Sequence, residues 1–358
     1  MEVRVERVSP DRLKTKPADE SQLGFGKIFA DHFFNMKYSD NKGWHDAVIE
    51  GYRDICLDPA AVCLHYGQLI FEGMKAYRGK DGSIYLFRPA DNFRRMNASA
   101  ERLCMPTIDV DGTVDALKKL VLLEKEWIPK SSGASMYIRP TMIATEAFLG
   151  VKPASEYLFY IIVGPVGPYY ATGFSPTKIY VTEEYVRAVT GGIGHCKAAG
   201  NYAASLLAGK KAGEMGFTQV LWLDGVHRKY CEEVGTSNMF FLIGDELVTP
   251  PLGGSILPGV TRDSVLQIAR KWGMKVSERQ ISIDEVIGAA EKGTLNEAFA
   301  SGTAAIVSPV GMIFYKDREY NIKGGKIGEL TEKLYNEILQ IQYGEKEDPF
   351  GWRIKISD

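Results

Sequence analysis

The segment GPVGPYYATGFSPT, residues 164–177, constrains the fold more than any other stretch, because three Gly and three Pro lie between two apolar runs. Proline cannot donate to a strand ladder or continue a helix, and glycine weakens both, so no regular element crosses this segment. At 358 residues the chain is longer than one ordinary domain. It therefore reads as a smaller N-terminal domain, 1–163, an interdomain linker, 164–177, and a larger C-terminal domain, 178–358.

Both halves mix strand and helix signals. Leu69–Tyr77 and Ser83–Phe87 carry aromatic and apolar residues around the turn Lys80-Asp81-Gly82, which predicts two strands. Pro89 opens a helix whose Phe93, Met96, Ala100 and Leu103 follow a helical period. Val114–Trp127 is a second helix, closed by Pro129, and Met136–Ala144 and Tyr157–Val163 are strands. Beyond the linker, strands are expected at Lys178–Thr182, Gln219–Leu223, Ser237–Ile243 and Lys275–Ile281. Helices are expected at Asn201–Glu214, Arg262–Trp272 and Ile327–Tyr343, the last followed by a polar tail. The pattern predicts an α/β (α+β) protein of two domains.

Composition removes several function classes. Lys and Arg total 43 against 45 Asp and Glu, a formal charge of −2, and no basic run marks a nucleic-acid surface. No apolar run approaches the roughly 18 residues of a membrane span. The first twelve residues are densely charged and do not read as a secretion signal, so the expectation is a cytoplasmic protein. Five cysteines without a CxxC pair read as reduced thiols, and five histidines without HExxH or a close cluster give no metal site.

The candidate chemistry centres on TGGIGHCKAAGNYAAS, where Lys197 is surrounded by small residues. Gly192-Ile193-Gly194 begins a dinucleotide fingerprint, but Lys197 occupies the position of its third glycine. His195-Cys196 reads as ordinary packing, since sequence neighbours point to different sides. Read alone, Lys197 fits a Gly-rich surface loop. A lysine amine kept from water beside another cation instead becomes a nucleophile toward carbonyls. Glu233, at the head of a strand, reads either as a solvated charge or as a carboxylate for a pyridine nitrogen. Leu257–Arg262 runs into a helix whose first amides suit a phosphate, and Ser301–Ala304 could serve the same anion. Arg95, on an amphipathic helix, is a solvated charge by default or a cation for that phosphate.

Taken together, FGKIFADH (25–32), HYGQLIFEGMKAYRG (65–79), LFRPADNFRRM (86–96), YIRP (137–140), GGIGHCKAAGNY (191–202), EEVGTSN (232–238), LPGVTR (257–262) and SGTAA (301–305) resemble one family. It is that of the fold-type IV enzymes dependent on pyridoxal 5'-phosphate, and most closely the larger, eukaryote-like branched-chain amino-acid aminotransferases. The resemblance runs from about Phe25 to Val310. It implies that Lys197 carries the cofactor and moves the substrate proton, that Glu233 faces the pyridine nitrogen, and that Tyr202 bonds the ring hydroxyl. It implies a phosphate site of Arg95, Val260, Thr261 and Thr303. Phe25, Tyr66, Phe71, Tyr137 and Arg139 would form the substrate pocket, with Thr236 and Ala304 near the substrate carboxylate. Leu149 and Val151 would close the pocket of a neighbouring subunit in a homodimer.

The implied reaction is reversible, ping-pong transamination of leucine, isoleucine and valine with 2-oxoglutarate. The mammalian relatives carry a CxxC where this chain has Ala305 and Ser308, so a thiol switch there is excluded. The alternatives are a D-amino-acid transaminase or an aminodeoxychorismate lyase of the same fold, and a catalytically silent phosphate- or nucleotide-binding protein.

Overall fold

The computed structural model describes residues 1–167 and 173–356; the part of the expected linker at 168–172 lies outside them. Two compact units are present. The first contains residues up to 167 together with 196–199 and 340–356, and the second contains 173–195 and 200–339. Two stretches of the expected 178–358 domain thus belong with the first unit.

Pairing explains both exceptions. Phe71 N donates to Lys197 O at 3.0 Å, and Ile70 bridges Ala198, which fastens 196–199 to the first sheet. The polar tail is a strand, Arg353–Ile356, antiparallel to Ile84–Phe87.

The first unit is built on a nearly antiparallel sheet. Its order is Arg4–Val5, Gly43–Gly51, His32–Ser39, Glu156–Val166, Ser135–Ala144, Met74–Arg78, Ile84–Phe87 and Arg353–Ile356, with Leu69–Phe71 also pairing with Ser135–Ala144. Alternation divides its faces. Ile70, Met74, Met136, Ile138 and Met142 are buried on one side, where the helices Pro89–Arg102 and Val110–Leu123 supply Phe93, Met96, Leu117 and Leu120 to the core. Register places Phe71 opposite Thr141 and Lys75 opposite Tyr137, so Phe71, Lys75, Tyr137 and Arg139 share the other face. The expected strand Leu69–Tyr77 is interrupted at Glu72-Gly73. FGKIFADH ends in a buried network: Trp127 Nε1 donates to Asp31 Oδ2 at 2.7 Å, and His32 pairs with Glu124.

Gly164 shows how tightly this sheet is packed. A Cβ there would lie 2.0 Å from Ile28 O.

The second unit holds a mixed sheet of Cys231–Val234, Gln219–Leu223, Thr177–Thr182, Ile306–Tyr315, Leu295–Gly302 and Ser237–Ile243, then Glu246–Thr249 and Lys275–Glu278. Cys231–Val234 pairs with both Gln219–Leu223 and Ser237–Ile243, which closes the first six into a ring. Val181, Leu221, Met239, Phe241 and Ile313 are among the residues buried in its core. The expected helix Asn201–Glu214 is two helices, Ala199–Ala203 and Leu206–Glu214, broken at Ala204-Ser205. Among the described residues no helix is long and apolar enough to cross a membrane.

Gly164→Ala should therefore destabilise the protein by about 1–3 kcal/mol or more through overpacking. Gly209→Ala, with nothing within 4 Å of its added Cβ and an ordinary helical setting, should stabilise by about 0.5–1 kcal/mol. Paired thermal melts check the opposite signs; equal shifts would contradict the packing described.

Candidate active site

In the first unit the chain brings Lys197, Phe71, Arg95, Tyr137, Arg139 and Phe25 into one neighbourhood. The backbone of Lys197 is held from two sides: its carbonyl accepts from Phe71 N, and its N–H donates to Ser99 Oγ at 3.0 Å. Its amine lies over the Phe71 ring, 4.9 Å from the centroid. The guanidinium of Arg139 lies 4.7 Å from the same centroid. Two cations therefore share one aromatic ring, whose quadrupole attracts both. Burial, first, and the nearby positive charge of Arg95 push the Lys197 amine down to about 8, with Glu72 and Tyr137 opposing and Arg139 adding to the fall.

Tyr137 links the aromatic and cationic groups. Its hydroxyl accepts from Arg139 Nη2 at 2.9 Å, and its ring meets Phe25 edge-on at 4.9 Å. Phe25 reaches it because Gly24 and Gly26 both take positive φ, +58° and +72°, on either side. Arg139 Nε is buried without a hydrogen-bond partner among the described residues.

Arg95, expected as a phosphate cation, forms a fork with Glu72: Nε to Oε1 at 2.8 Å and Nη2 to Oε2 at 2.7 Å. Glu72 is fully buried. In the sequence, the one sign of it is an acid inside the apolar run LIFEGMKAY. Lys75 is a second buried amine, also lowered to about 8 by desolvation.

Three expected pocket residues are exposed to solvent. Tyr66 ends the helix Val62–Tyr66 and is 45% exposed, while Leu149 and Val151 are 70% and 88% exposed. Cys196 is buried, and burial raises its thiol, so it is a packed hydrophobe rather than a thiolate.

The second unit gathers another set. Glu233 is 3% exposed on Cys231–Val234 and forms an ion pair with Arg187 Nε at 2.6 Å. Its Oε1 accepts from Asn238 Nδ2 at 3.1 Å and Leu257 N at 3.2 Å, and Asn238 Nδ2 also donates to Leu257 O at 2.9 Å. Asn238 thus ties the carboxylate to the segment entering the helix Val260–Lys271. A Cβ on Gly259 would strike Asn238 Oδ1 at 2.0 Å, so glycine is required where the segment passes Asn238.

The N-cap of that helix is Gly259, which has no side chain to cap it, and its first turn presents Val260 and the buried Thr261. Thr236 is at the tip of the hairpin joining Cys231–Val234 to Ser237–Ile243. Thr303 and Ala304 occupy the turn between Leu295–Gly302 and Ile306–Tyr315. Register sets Glu233 opposite Asn238 and Asn238 opposite Ser301, so these elements adjoin. The Ser301 hydroxyl is buried with no hydrogen-bond partner among the described residues. Tyr202 lies in the helix Ala199–Ala203, where Asn201 Nδ2 donates to Ile193 O at 2.8 Å. Arg187 was not expected from sequence; only its buried partner sets it apart from a surface arginine.

A lysine amine of lowered basicity is a side chain able to capture carbonyl compounds. The model of the amino-transferase class IV family matches residues 69–313. The chain belongs to that family. Branched-chain-amino-acid aminotransferase 2 of Bacillus subtilis is 51% identical over 355 residues, covering 99% of this chain and 97% of that protein. Among solved structures, a T.th. branched-chain amino acid aminotransferase with pyridoxamine 5'-phosphate is 25% identical, with TM-score 0.76, covering 92% of this chain and 100% of that one. The Escherichia coli branched-chain aminotransferase is also 25% identical, with TM-score 0.75, covering 91% and 99%.

Removing one partner of a buried ion pair leaves the other charged and dry. Arg187→Leu should therefore cost about 3–5 kcal/mol of stability, and Arg187→Leu with Glu233→Leu should recover part of it. Urea unfolding of the cofactor-free protein measures both. A double variant as unstable as the sum of its parts would show that the charges do not act as a pair.

Proposed function

We propose that this chain is a branched-chain amino-acid aminotransferase that uses pyridoxal 5'-phosphate to exchange amino groups between leucine, isoleucine or valine and 2-oxoglutarate. The single observation that carries the reading is the dry Lys197 amine beside Arg95 and Phe71, within a chain half-identical to curated branched-chain aminotransferases.

The donor set fits the cofactor. An amine lowered to about 8 suits its aldehyde, the anchored carboxylate of Glu233 suits a protonated pyridine nitrogen, and the glycine-led start of Val260–Lys271 suits a phosphate. The unpartnered Ser301 hydroxyl supports a polar ligand at that end. Bound, the cofactor supplies an electrophilic carbon and a ring that delocalises negative charge. In this reading Lys197 holds the cofactor, then takes the substrate Cα proton and returns it, work suited to an amine lowered toward neutral pH. Glu233, paired with Arg187 and oriented by Asn238, faces the ring nitrogen and favours its protonated form. Tyr202 bonds the ring hydroxyl, and Arg95, Val260, Thr261 and Thr303 receive the phosphate. Thr236 and Ala304 receive the substrate carboxylate.

Phe25, Phe71 and Tyr137 supply apolar walls for a branched side chain. The dicarboxylate substrate takes the same pocket through Arg139, whose buried Nε has no hydrogen-bond partner among the described residues, together with Tyr66. The exposure of Leu149, Val151 and Tyr66 supports a homodimer in which the loop bearing Leu149 and Val151 covers the neighbour's pocket. The amino acids and 2-oxo acids are its small-molecule partners, and we place the enzyme in the cytoplasm.

An amino-donor panel with 2-oxoglutarate tests the reading. One methylene in an apolar pocket is worth about 1–3 kcal/mol, so leucine, isoleucine and valine should react within roughly 10–200-fold of one another. Aspartate should be poor, because its short carboxylate would be buried unpaired. A panel in which D-alanine or aspartate outran leucine would overturn the assignment.

A further inference from the structure

Glu72 has no part in the reaction as described, yet it is a fully buried charge next in sequence to a residue at its centre. It follows Phe71, the residue whose N–H grips Lys197 O and whose ring carries the Lys197 amine. Its two oxygens take Nε and Nη2 of Arg95, and Oε2 also accepts from Gly73 N at 3.1 Å. Its own N–H donates to Pro140 O at 2.8 Å, within the strand that carries Tyr137 and Arg139. A carboxylate held this way has one orientation.

We propose that Glu72 is a positioning residue of the active site: its fork fixes the plane of the Arg95 guanidinium and offsets that positive charge beside the Lys197 amine. The inference rests on the reading of Lys197 as the cofactor lysine.

The groups of the first unit that bear on the amine are Arg95 from Pro89–Arg102, Glu72 from the end of Leu69–Phe71, and Tyr137 and Arg139 from Ser135–Ala144. Lys75, opposite Tyr137, is the other buried amine on this face. Among the described groups that bear most on Lys197, Arg95 and Arg139 are permanent cations and Glu72 is a carboxylate. Without it Arg95 would act unopposed, and the amine would lose its proton at lower pH. The sign follows from charge: removing an anion disfavours the ammonium form, and removing a cation favours it. Glutamate rather than a neutral amide therefore balances a site that must also attract an anion.

The test is capture of free pyridoxal by the cofactor-free enzyme, followed by visible absorbance across pH. Pyridoxal has no phosphate, so the readout does not depend on Arg95 as an anion ligand. Only the neutral amine attacks the aldehyde carbon, its nitrogen bonding there as water leaves, so the rate rises through the amine's pKa. In Glu72→Gln the midpoint should fall by about one pH unit, and in Arg95→Met it should rise by a similar amount. The double variant, with both charges gone, should return close to wild type, which a merely structural role would not produce. It also leaves no unpaired charge, so it remains informative if Glu72→Gln folds poorly. Unchanged midpoints, or a double variant that keeps the Glu72→Gln shift, would overturn the proposal. Lys197→Ala separates the two readings: if it captures pyridoxal as wild type does, the lysine assignment fails, whatever Glu72 does.

Discussion

A charge taken out of water must meet its opposite at close range, and both units of this chain are arranged around that requirement. Each buries one arginine–glutamate pair, Arg95 with Glu72 in the first and Arg187 with Glu233 in the second. Such pairs add little net stability, because desolvation consumes most of the attraction between the partners. What they supply is direction. A fork of two hydrogen bonds fixes a guanidinium plane, and a carboxylate pinned by Arg187, Asn238 and Leu257 N cannot turn away.

The Lys197 amine depends on the same balance of charge. It is closely packed and near cations, so it gives up its proton more readily than a surface lysine. The Phe71 ring tolerates two cations because its face is electron-rich. Backbone grips on Lys197 from Phe71 N and Ser99 Oγ keep a glycine- and alanine-rich segment from moving that amine. Small neighbours permit close packing, and specific bonds replace the stiffness that they lack.

Much of this was legible in the sequence, and the gaps have physical causes. Gln219–Leu223 and Ser237–Ile243 were read with their observed bounds, because short apolar runs beside turn residues leave few alternatives. Asn201–Glu214 was read as one helix since its alanines and lysines all favour helix; the break at Ala204-Ser205 leaves no mark in propensity. Arg353–Ile356 looked like a polar tail because an edge strand needs no apolar pattern when its partner, Ile84–Phe87, lies far away in sequence. Motifs mark Lys197 and Glu233 as candidates in the sequence. Glu72 is marked only by its place in an apolar run, and Arg187 by nothing, since its burial shows only through a partner elsewhere in the chain.

The central claim is that Lys197, and not the more deeply buried Lys75, is the amine that engages the cofactor. Borohydride reduction of the enzyme loaded with pyridoxal phosphate, followed by proteolysis and mass mapping, tests it directly. The account predicts one phosphopyridoxyl group per chain, on the peptide containing Lys197. The modification on the Lys75 peptide, or spread over surface lysines with Lys197 unmodified, would contradict it.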